Sequence, residues 1–503
     1  MRETVHYLLW VIGLTVWTVV CFITPYFMDN PVDGWYSMAV VFAHISACGI
    51  GAFLILYAMG CSRYLTAVVL PLWALLGAAL AFYRVGYHVT LTTMLIAVTL
   101  HTNPEEAMGV LSWQLVLWVA VQMMIACWAV WWRWKRIQLT SAWVHGLIAV
   151  VCVGCYIGSS YRLREVILYQ RFPLNIVHYG YLYVAGLRPA GTTRTVPSFT
   201  IAETTDSLTV VLVIGEATRA DHMQMNGYER ETTPLLSARK NVIAFPHIFS
   251  EQTYTDICLP HMLTRADSAH EEFQYSETSF IRIYQAAGFR TAWLSNQDLG
   301  HAYRDYIEES DTMIFANAGK SQYVYSQWLD GELLPLIKEA MPGHPAQALY
   351  ILHTIGSHWY YNNHVPQNMY HFQPLTTNRV VTNNGTERLV NSYDNTIRYM
   401  DYFVDSLIST IEDKRAILIF QSDHGEALGE EGLYLHGHEI PGVQNPACFV
   451  WYSDKYAETY PEKIKALVRN KNKRYRTDYL FYSVLSAAGI EAEGDSPEMN
   501  IFR

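Results

Sequence analysis

Glu216 follows a nearly unbroken apolar run, and Asp423-His424 follows Ile417, Leu418, Ile419 and Phe420. Carboxylates and an imidazole delivered where buried strands leave a sheet suit a metal, and this mixture of oxygen and nitrogen donors is one that zinc accepts and manganese tolerates. Each signal has a plainer alternative: for Glu216 a carboxylate favoured by a helix N-terminus, for Asp423-His424-Gly425-Glu426 an ordinary acidic turn. Thr255, in Thr253-Tyr254-Thr255-Asp256-Ile257-Cys258-Leu259-Pro260, stands where a loop hands over to a short helix. Backbone N–H groups at such a junction can hold a phosphate. A threonine hydroxyl is a weak nucleophile until a base or metal lowers its pKa, which a cation held by Glu216, Asp423 and His424 would do; otherwise Thr255 is an N-cap. His358, His436 and His438 add imidazoles able to bind phosphate oxygens, protonate a leaving alkoxide or hold a second metal, although a lone histidine is more often structural.

These residues need a frame that brings them together. Short apolar runs at Leu208–Ile214, Thr291–Leu294, Ala348–Leu352 and Ala416–Phe420 read as buried strands, separated by amphipathic stretches such as Ser392–Ile411. That alternation predicts an α/β domain with a mostly parallel sheet. Ligands of such sheets sit beyond the carboxyl ends of the strands, where this chain places Gly215-Glu216, Ser295-Asn296-Gln297, His353 with His358, and Ser422-Asp423-His424.

The first 162 residues have a different character. Apolar runs near residues 5–27, 36–60, 64–83, 111–132 and 142–161 approach the roughly 20 residues that cross a bilayer, predicting five transmembrane helices. The first lacks a small-residue cleavage site and reads as an anchor. Arg63 lies between the second and third runs, and Arg133, Lys135 and Arg136 between the fourth and fifth. The positive-inside rule turns these loops to the cytoplasm, so residues 84–110 and everything after 162 are expected on the opposite side. Residues 163–203, with several Arg, Tyr and Phe followed by a Gly, Thr and Pro-rich run, read as an interfacial segment and linker, leaving 204–503 as the soluble domain.

With a formal net charge of −10 and no basic stripe, the chain offers nothing for a nucleic-acid backbone. Six of its eight cysteines precede residue 162, leaving Cys258 and Cys448 as the one pair available to a disulfide in the soluble half.

Taken in order, the segments Val213-Ile214-Gly215-Glu216-Ala217-Thr218-Arg219-Ala220-Asp221-His222, Asn226-Gly227-Tyr228, Thr232-Thr233-Pro234, Ser392-Tyr393-Asp394-Asn395-Thr396 and Ser422-Asp423-His424-Gly425-Glu426-Ala427-Leu428-Gly429-Glu430 resemble the membrane-bound phosphoethanolamine transferases of Gram-negative bacteria, which include lipid A modifying and mobile colistin-resistance enzymes. The resemblance implies an alkaline-phosphatase-like fold in the periplasm below a five-helix inner-membrane anchor. It implies zinc held by Glu216, Asp423, His424 and the nucleophile Thr255, and substrate-phosphate roles for His358 and His436; His438 has no secure counterpart. Thr102 and Glu106 match the family's segment for the donor head group, and a carboxylate there can pair with the ethanolamine ammonium; a helix start is the plainer reading. Two departures stand out: Val98 where the family often has Asn, and Glu251 and His261 where lipid A modifying members carry a disulfide beside the nucleophile.

The implied reaction moves phosphoethanolamine from phosphatidylethanolamine to a lipopolysaccharide acceptor, lipid A or core sugar, through a phosphothreonine. The alternatives within this fold are a phosphoglycerol transferase and a sulfatase-like hydrolase of another envelope glycan or lipid. A receptor without catalysis would account for an anchor and a pocket, not for a nucleophile, metal ligands and phosphate-type histidines arriving together.

Overall fold

The computed structural model describes the chain except residues 1, 29, 31, 33, 88–89, 94, 97–98, 100–111, 140–141, 163–168, 170, 187–193, 204–205, 298–302, 318–326, 342–345 and 379–380. Val98, Thr102 and Glu106 therefore lie outside the described residues. Of the rest, those up to 188 form one compact unit and those from 189 onward another.

The first unit is helical: α1 (Arg2–Thr18), α2 (Trp35–Gly60), α3 (Arg63–Tyr87), α4 (Trp113–Arg136), α5 (Ala142–Arg162) and α6 (Leu174–Gly186). A π-helical and a 3₁₀ turn prolong α1 to Phe27. Four spans, Thr4–Phe27, Trp35–Gly60, Arg63–Gly86 and Trp113–Arg136, are long and apolar enough to cross a membrane, and α5 adds the shorter apolar stretch Trp143–Gly154. These match the five apolar runs of the sequence. Tyr7, Trp10, Phe22, Leu56, Ala74 and Ala126 form part of a common core, while Leu9, Val16, Val68, Leu72 and Val116 are exposed. That is the distribution expected where the surrounding medium is as apolar as the interior. The buried Arg133 guanidinium donates to the carbonyls of Gly60 (2.8 Å) and Ile137 (2.8 Å), tying the end of α2 to the end of α4.

The second unit is an α/β domain on a seven-stranded sheet: β1 (Leu208–Gly215), β2 (Val242–Ala244), β3 (Arg290–Ser295), β4 (Thr312–Phe315), β5 (Gln347–His353), β6 (Ala416–Ser422) and β7 (Cys448–Tyr452). Its order is β2-β7-β6-β1-β5-β3-β4. Pairings from β6 to β4 are all parallel, whereas β7 runs antiparallel to β6 and β2. All eight residues of β1 are buried, as a central parallel strand requires.

Residues alternate between two cores. Leu208, Val210, Leu212 and Ile214 face one with Trp293, Ile351 and Ile419; Val211 and Val213 face the other with Leu352, Leu418 and Phe420. Helix α8 (Thr386–Ile411) covers the second face through Leu389, Tyr393, Ile397, Met400, Val404, Leu407 and Ile411, a helical repeat of one apolar side. The first face is covered by α9 (Tyr479–Ala487) and by α7 (Thr255–Leu263), the latter through Cys258, Leu259, Met262 and Leu263. Cys258 and Cys448 are buried and unbridged.

Candidate active site

Register alone brings the candidate residues to one edge. Ile214 pairs with His353, Gly215 with Ser422, and Ser295 with His353, so four strands end level with one another. Glu216 does not start a helix: Ala217 takes a left-handed φ of 54°, a conformation costly for a residue with a Cβ, and turns the chain away from the sheet. Gly356, after β5, closes over this bend with φ +48°, and a Cβ there would lie 2.7 Å from the Glu216 carbonyl oxygen. Thr255 is the first residue of α7 and Tyr254 holds the N-cap position, so the Thr255 hydroxyl is not a cap.

That hydroxyl points at the strand ends. Thr255 Oγ1 lies 3.0 Å from Glu216 Oε2, 2.7 Å from Asp423 Oδ2 and 3.5 Å from His424 Nε2. His424 Nε2 is 3.6 Å from Glu216 Oε1 and 3.4 Å from Asp423 Oδ2. Each ligand-type group is oriented by a second contact. Asp423 Oδ1 accepts from the backbone N–H groups of Ala217 (3.1 Å) and His424 (2.7 Å), leaving Oδ2 for Thr255. His424 gives Nδ1–H to the Gly425 carbonyl at 2.7 Å, so Nε2 presents its lone pair.

The charge balance of this cluster calls for a cation. Burial first, and then the Asp423 carboxylate, push the Glu216 carboxyl well above its ordinary range. Glu216 Oε1 is buried without a hydrogen-bond partner. Ligand atoms of Glu216, His424 and His436 all lie within 4.8 Å of one another. Oxygen and imidazole donors converging on an orphaned carboxylate oxygen fit a divalent ion, which would relieve the crowding of carboxylates.

The histidines divide. His436 packs with ring centroids 4.9 Å from His424 and 6.3 Å from His358, so these three line one cleft. Burial, then the neighbouring His424 and His358, lower the His436 pKa to about 4, and burial lowers that of His358. His358 gives Nδ1–H to the Trp359 carbonyl at 2.6 Å, leaving Nε2 as a proton acceptor. His438 instead contacts the Tyr434 carbonyl at 3.1 Å and holds its own loop.

Several neighbours were not singled out from sequence. Gln297 Nε2 donates to Glu216 Oε2 at 2.8 Å. Glu426 is fully buried, with the Tyr361 hydroxyl beside its carboxylate, and lies 3.9 Å from His436 Nδ1. Arg219 braces the loops from behind, donating to Asp221 (2.7 Å), Glu430 (2.5 Å) and the Glu426 carbonyl (3.0 Å). Both glutamate and glutamine sit within strand-exit segments already flagged, but only the folded chain tells which of several polar residues turns inward.

The sulfatase family profile matches residues 209–490, and that of "Phosphoethanolamine transferase EptA/EptB" matches residues 50–163. Along 535 aligned residues, 98% of this chain and 96% of the relative, the sequence is 26% identical to phosphoethanolamine transferase EptA of Escherichia coli. The chain belongs to the membrane-bound phosphoethanolamine transferases of the sulfatase family. Among solved structures, the integral membrane lipooligosaccharide phosphoethanolamine transferase A of Neisseria meningitidis shares the fold across 98% of this chain and 97% of its own, with a TM-score of 0.56 at 23% identity. The C-terminal periplasmic domain of E. coli EptC in complex with zinc covers 61% of this chain and 90% of its own, with a TM-score of 0.55 at 25% identity. For a phosphoethanolamine transferase, the cluster at the strand ends is the place to seek the reacting phosphorus.

Proposed function

We propose that this transferase moves phosphoethanolamine from phosphatidylethanolamine to a lipopolysaccharide acceptor, lipid A or core sugar, through a phosphothreonine on Thr255 at a zinc site on the periplasmic face of the inner membrane. The observation that carries this reading is the Thr255 hydroxyl, set 2.7 Å from Asp423 Oδ2 and 3.0 Å from Glu216 Oε2 at the start of a helix. Glu216, Asp423, His424 and Thr255 would hold the zinc, and the zinc-complexed relative supports that choice of metal. Bound zinc acidifies the nucleophile and neutralises charge developing on the phosphoryl oxygens.

In the first displacement the Thr255 Oγ1–P bond forms as the P–O bond to diacylglycerol breaks. The hydroxyl proton leaves by way of Asp423 Oδ2 and reaches the departing diacylglycerol oxygen through His358 Nε2, which is neutral before and after the step. In the second, an acceptor oxygen attacks the same phosphorus as the Thr255 Oγ1–P bond breaks, and its proton passes to His358 Nε2 and back by way of Asp423 to Thr255. His436 flanks the phosphoryl oxygens, and the N–H groups opening α7 face the developing charge. Thr102 and Glu106 are proposed to hold the ethanolamine ammonium.

The test is the intact mass of the full-length enzyme after incubation with phosphatidylethanolamine and zinc, beside Thr255→Ala. A phosphoethanolamine-sized adduct on Thr255, absent from the variant, is expected. A glycerol phosphate adduct from phosphatidylglycerol in its place would make the enzyme a phosphoglycerol transferase, and no adduct with zinc bound would remove the covalent intermediate.

A further inference from the structure

Glu216 has two hydrogen-bond donors at Oε2 among the described residues, the Thr255 hydroxyl at 3.0 Å and the Gln297 side-chain amide at 2.8 Å. They are not equivalent through a reaction cycle. A threonine oxygen that carries a phosphoryl group has lost its proton and can no longer donate. The Gln297 amide keeps both its hydrogens in every state. Glu216 Oε1 has no hydrogen-bond partner among the described residues, which would leave it free to take a cation.

The position of Gln297 is fixed independently of Glu216. Ser295, fully buried at the end of β3, receives the Gln297 backbone N–H at 3.1 Å and donates its hydroxyl to the Gln297 carbonyl at 3.0 Å. The intervening Asn296 donates to Asp330 at 2.9 Å, and Asp330 also accepts from the backbone of Ile355 (2.8 Å) and Gly356 (3.0 Å). Gln297 itself is 7% exposed. An amide locked between a strand end and a buried carboxylate bracket is preorganised, and it belongs to a different strand from every other group on Glu216.

Building on the reading of Thr255 as the nucleophile, we propose that Gln297 is the positioning residue of the second half-reaction: it becomes the sole donor holding Glu216 when Thr255 is esterified, and so keeps the Glu216 carboxylate oriented to hold a cation while the acceptor attacks. Its loss falls unequally on the two displacements. Before transfer Thr255 shares the task; afterwards nothing replaces Gln297.

The test compares full-length enzyme in detergent micelles with Gln297→Met, of similar size and without a donor, and Gln297→Glu, of the same shape with a repelling charge. Two quantities are read: zinc affinity by competition with a chromophoric chelator, and the rates of phosphothreonine formation and discharge by rapid quench with phosphatidylethanolamine at saturating zinc. Zinc affinity is expected to fall about 10- to 100-fold, the usual effect of removing a partner of a metal ligand. Adduct formation should stay within about threefold of the parent while its discharge slows at least tenfold, so that adduct accumulates. Equal slowing of both steps, or unchanged zinc affinity with unchanged discharge, overturns the role. Gln297→Glu decides in the same way if Gln297→Met does not fold. A parent enzyme forming no adduct would sink the reading of Thr255 itself, and this one with it; a parent that forms adduct beside variants that discharge it normally sinks only the role of Gln297.

Discussion

A secondary hydroxyl surrounded by carboxylates is a worse acid than one in water unless a cation intervenes, and that conflict explains the residues around Thr255. Two carboxylates within 3.0 Å of one hydroxyl serve no purpose in a metal-free threonine. Glu216→Ala or Asp423→Ala should therefore cost zinc, read by metal analysis after dialysis, with transfer lost alongside. Thr255→Ala removes one proposed ligand but neither carboxylate; it should retain most of the metal while transfer falls by about 10³-fold or more. A Thr255→Ala enzyme with normal transfer would leave the cluster without a catalytic purpose. His353 makes a second, independent prediction. It is fully buried, neither ring nitrogen has a hydrogen-bond partner among the described residues, and burial lowers its pKa to about 4 from an ordinary 6.5. Between pH 6.5 and 4 the unfolded chain binds a proton here that the folded chain refuses. Stability from this site is therefore full above pH 6.5 and is lost as pH falls towards 4, by on the order of 3 kcal/mol. His353→Phe should flatten the pH dependence of the thermal unfolding midpoint of this unit across that window. That Glu216, Asp423 and His424 meet at the strand ends was legible because each follows an apolar run that reads as a buried strand. Gln297 and Glu426 were not, since inward and outward polar residues look alike until neighbouring strands surround them.

Among elements, the loops after β3 and β5 depend on one carboxylate. Asp330 accepts from Asn296, Ile355 and Gly356 with 5% of its surface exposed. Gly356 in turn abuts the backbone of Glu216. Asp330→Ala would leave two buried donors and one partly buried one unpaired, a cost of roughly 3 kcal/mol. Unfolding should shift accordingly, and zinc affinity should fall although Asp330's bonds are to Asn296, Ile355 and Gly356 and not to the proposed ligands. Unchanged metal affinity would mean that these loops hold their shape without the bracket. On the opposite face, Leu407 is fully buried in α8 against the sheet. Leu407→Ala should cost about 2 to 5 kcal/mol without altering the site chemistry. Four of the five parallel strands and α8 could be read from sequence because their apolar patterns stand out. The edge of the sheet could not. Cys448–Tyr452 is as apolar as a parallel strand, and its antiparallel direction follows from the connection 423–447, whose strands and turns are only two to four residues long. Val242–Ala244 and Thr312–Phe315 are three and four residues long, too short for a period.

At the scale of the whole molecule, two units with separate cores share one chain, and their separation can be turned into an experiment. The two cores flanking the sheet draw every residue from position 199 onward, and the helical core draws none beyond 176. The catalytic unit should therefore fold and bind zinc when cut from the helices. What it would lose is confinement to a surface. Donor and acceptor of the proposed reaction are both lipids, and tethering an enzyme to the plane of its substrates raises their effective concentration, an advantage of about 10² to 10⁴ where both partners are held. A fragment beginning near residue 194 should consequently form the Thr255 adduct from a short-chain, water-soluble phosphatidylethanolamine at close to the parental rate. Its transfer to an acceptor embedded in vesicles should drop by that factor, and a lipid-anchored tag on the fragment should restore part of the loss. If the anchored fragment stays as slow as the free one, the helices contribute contacts to the substrates rather than proximity, and Thr102 and Glu106 become the residues to substitute next. If the free fragment transfers as fast as the full chain, the helices serve only to keep the enzyme in its compartment.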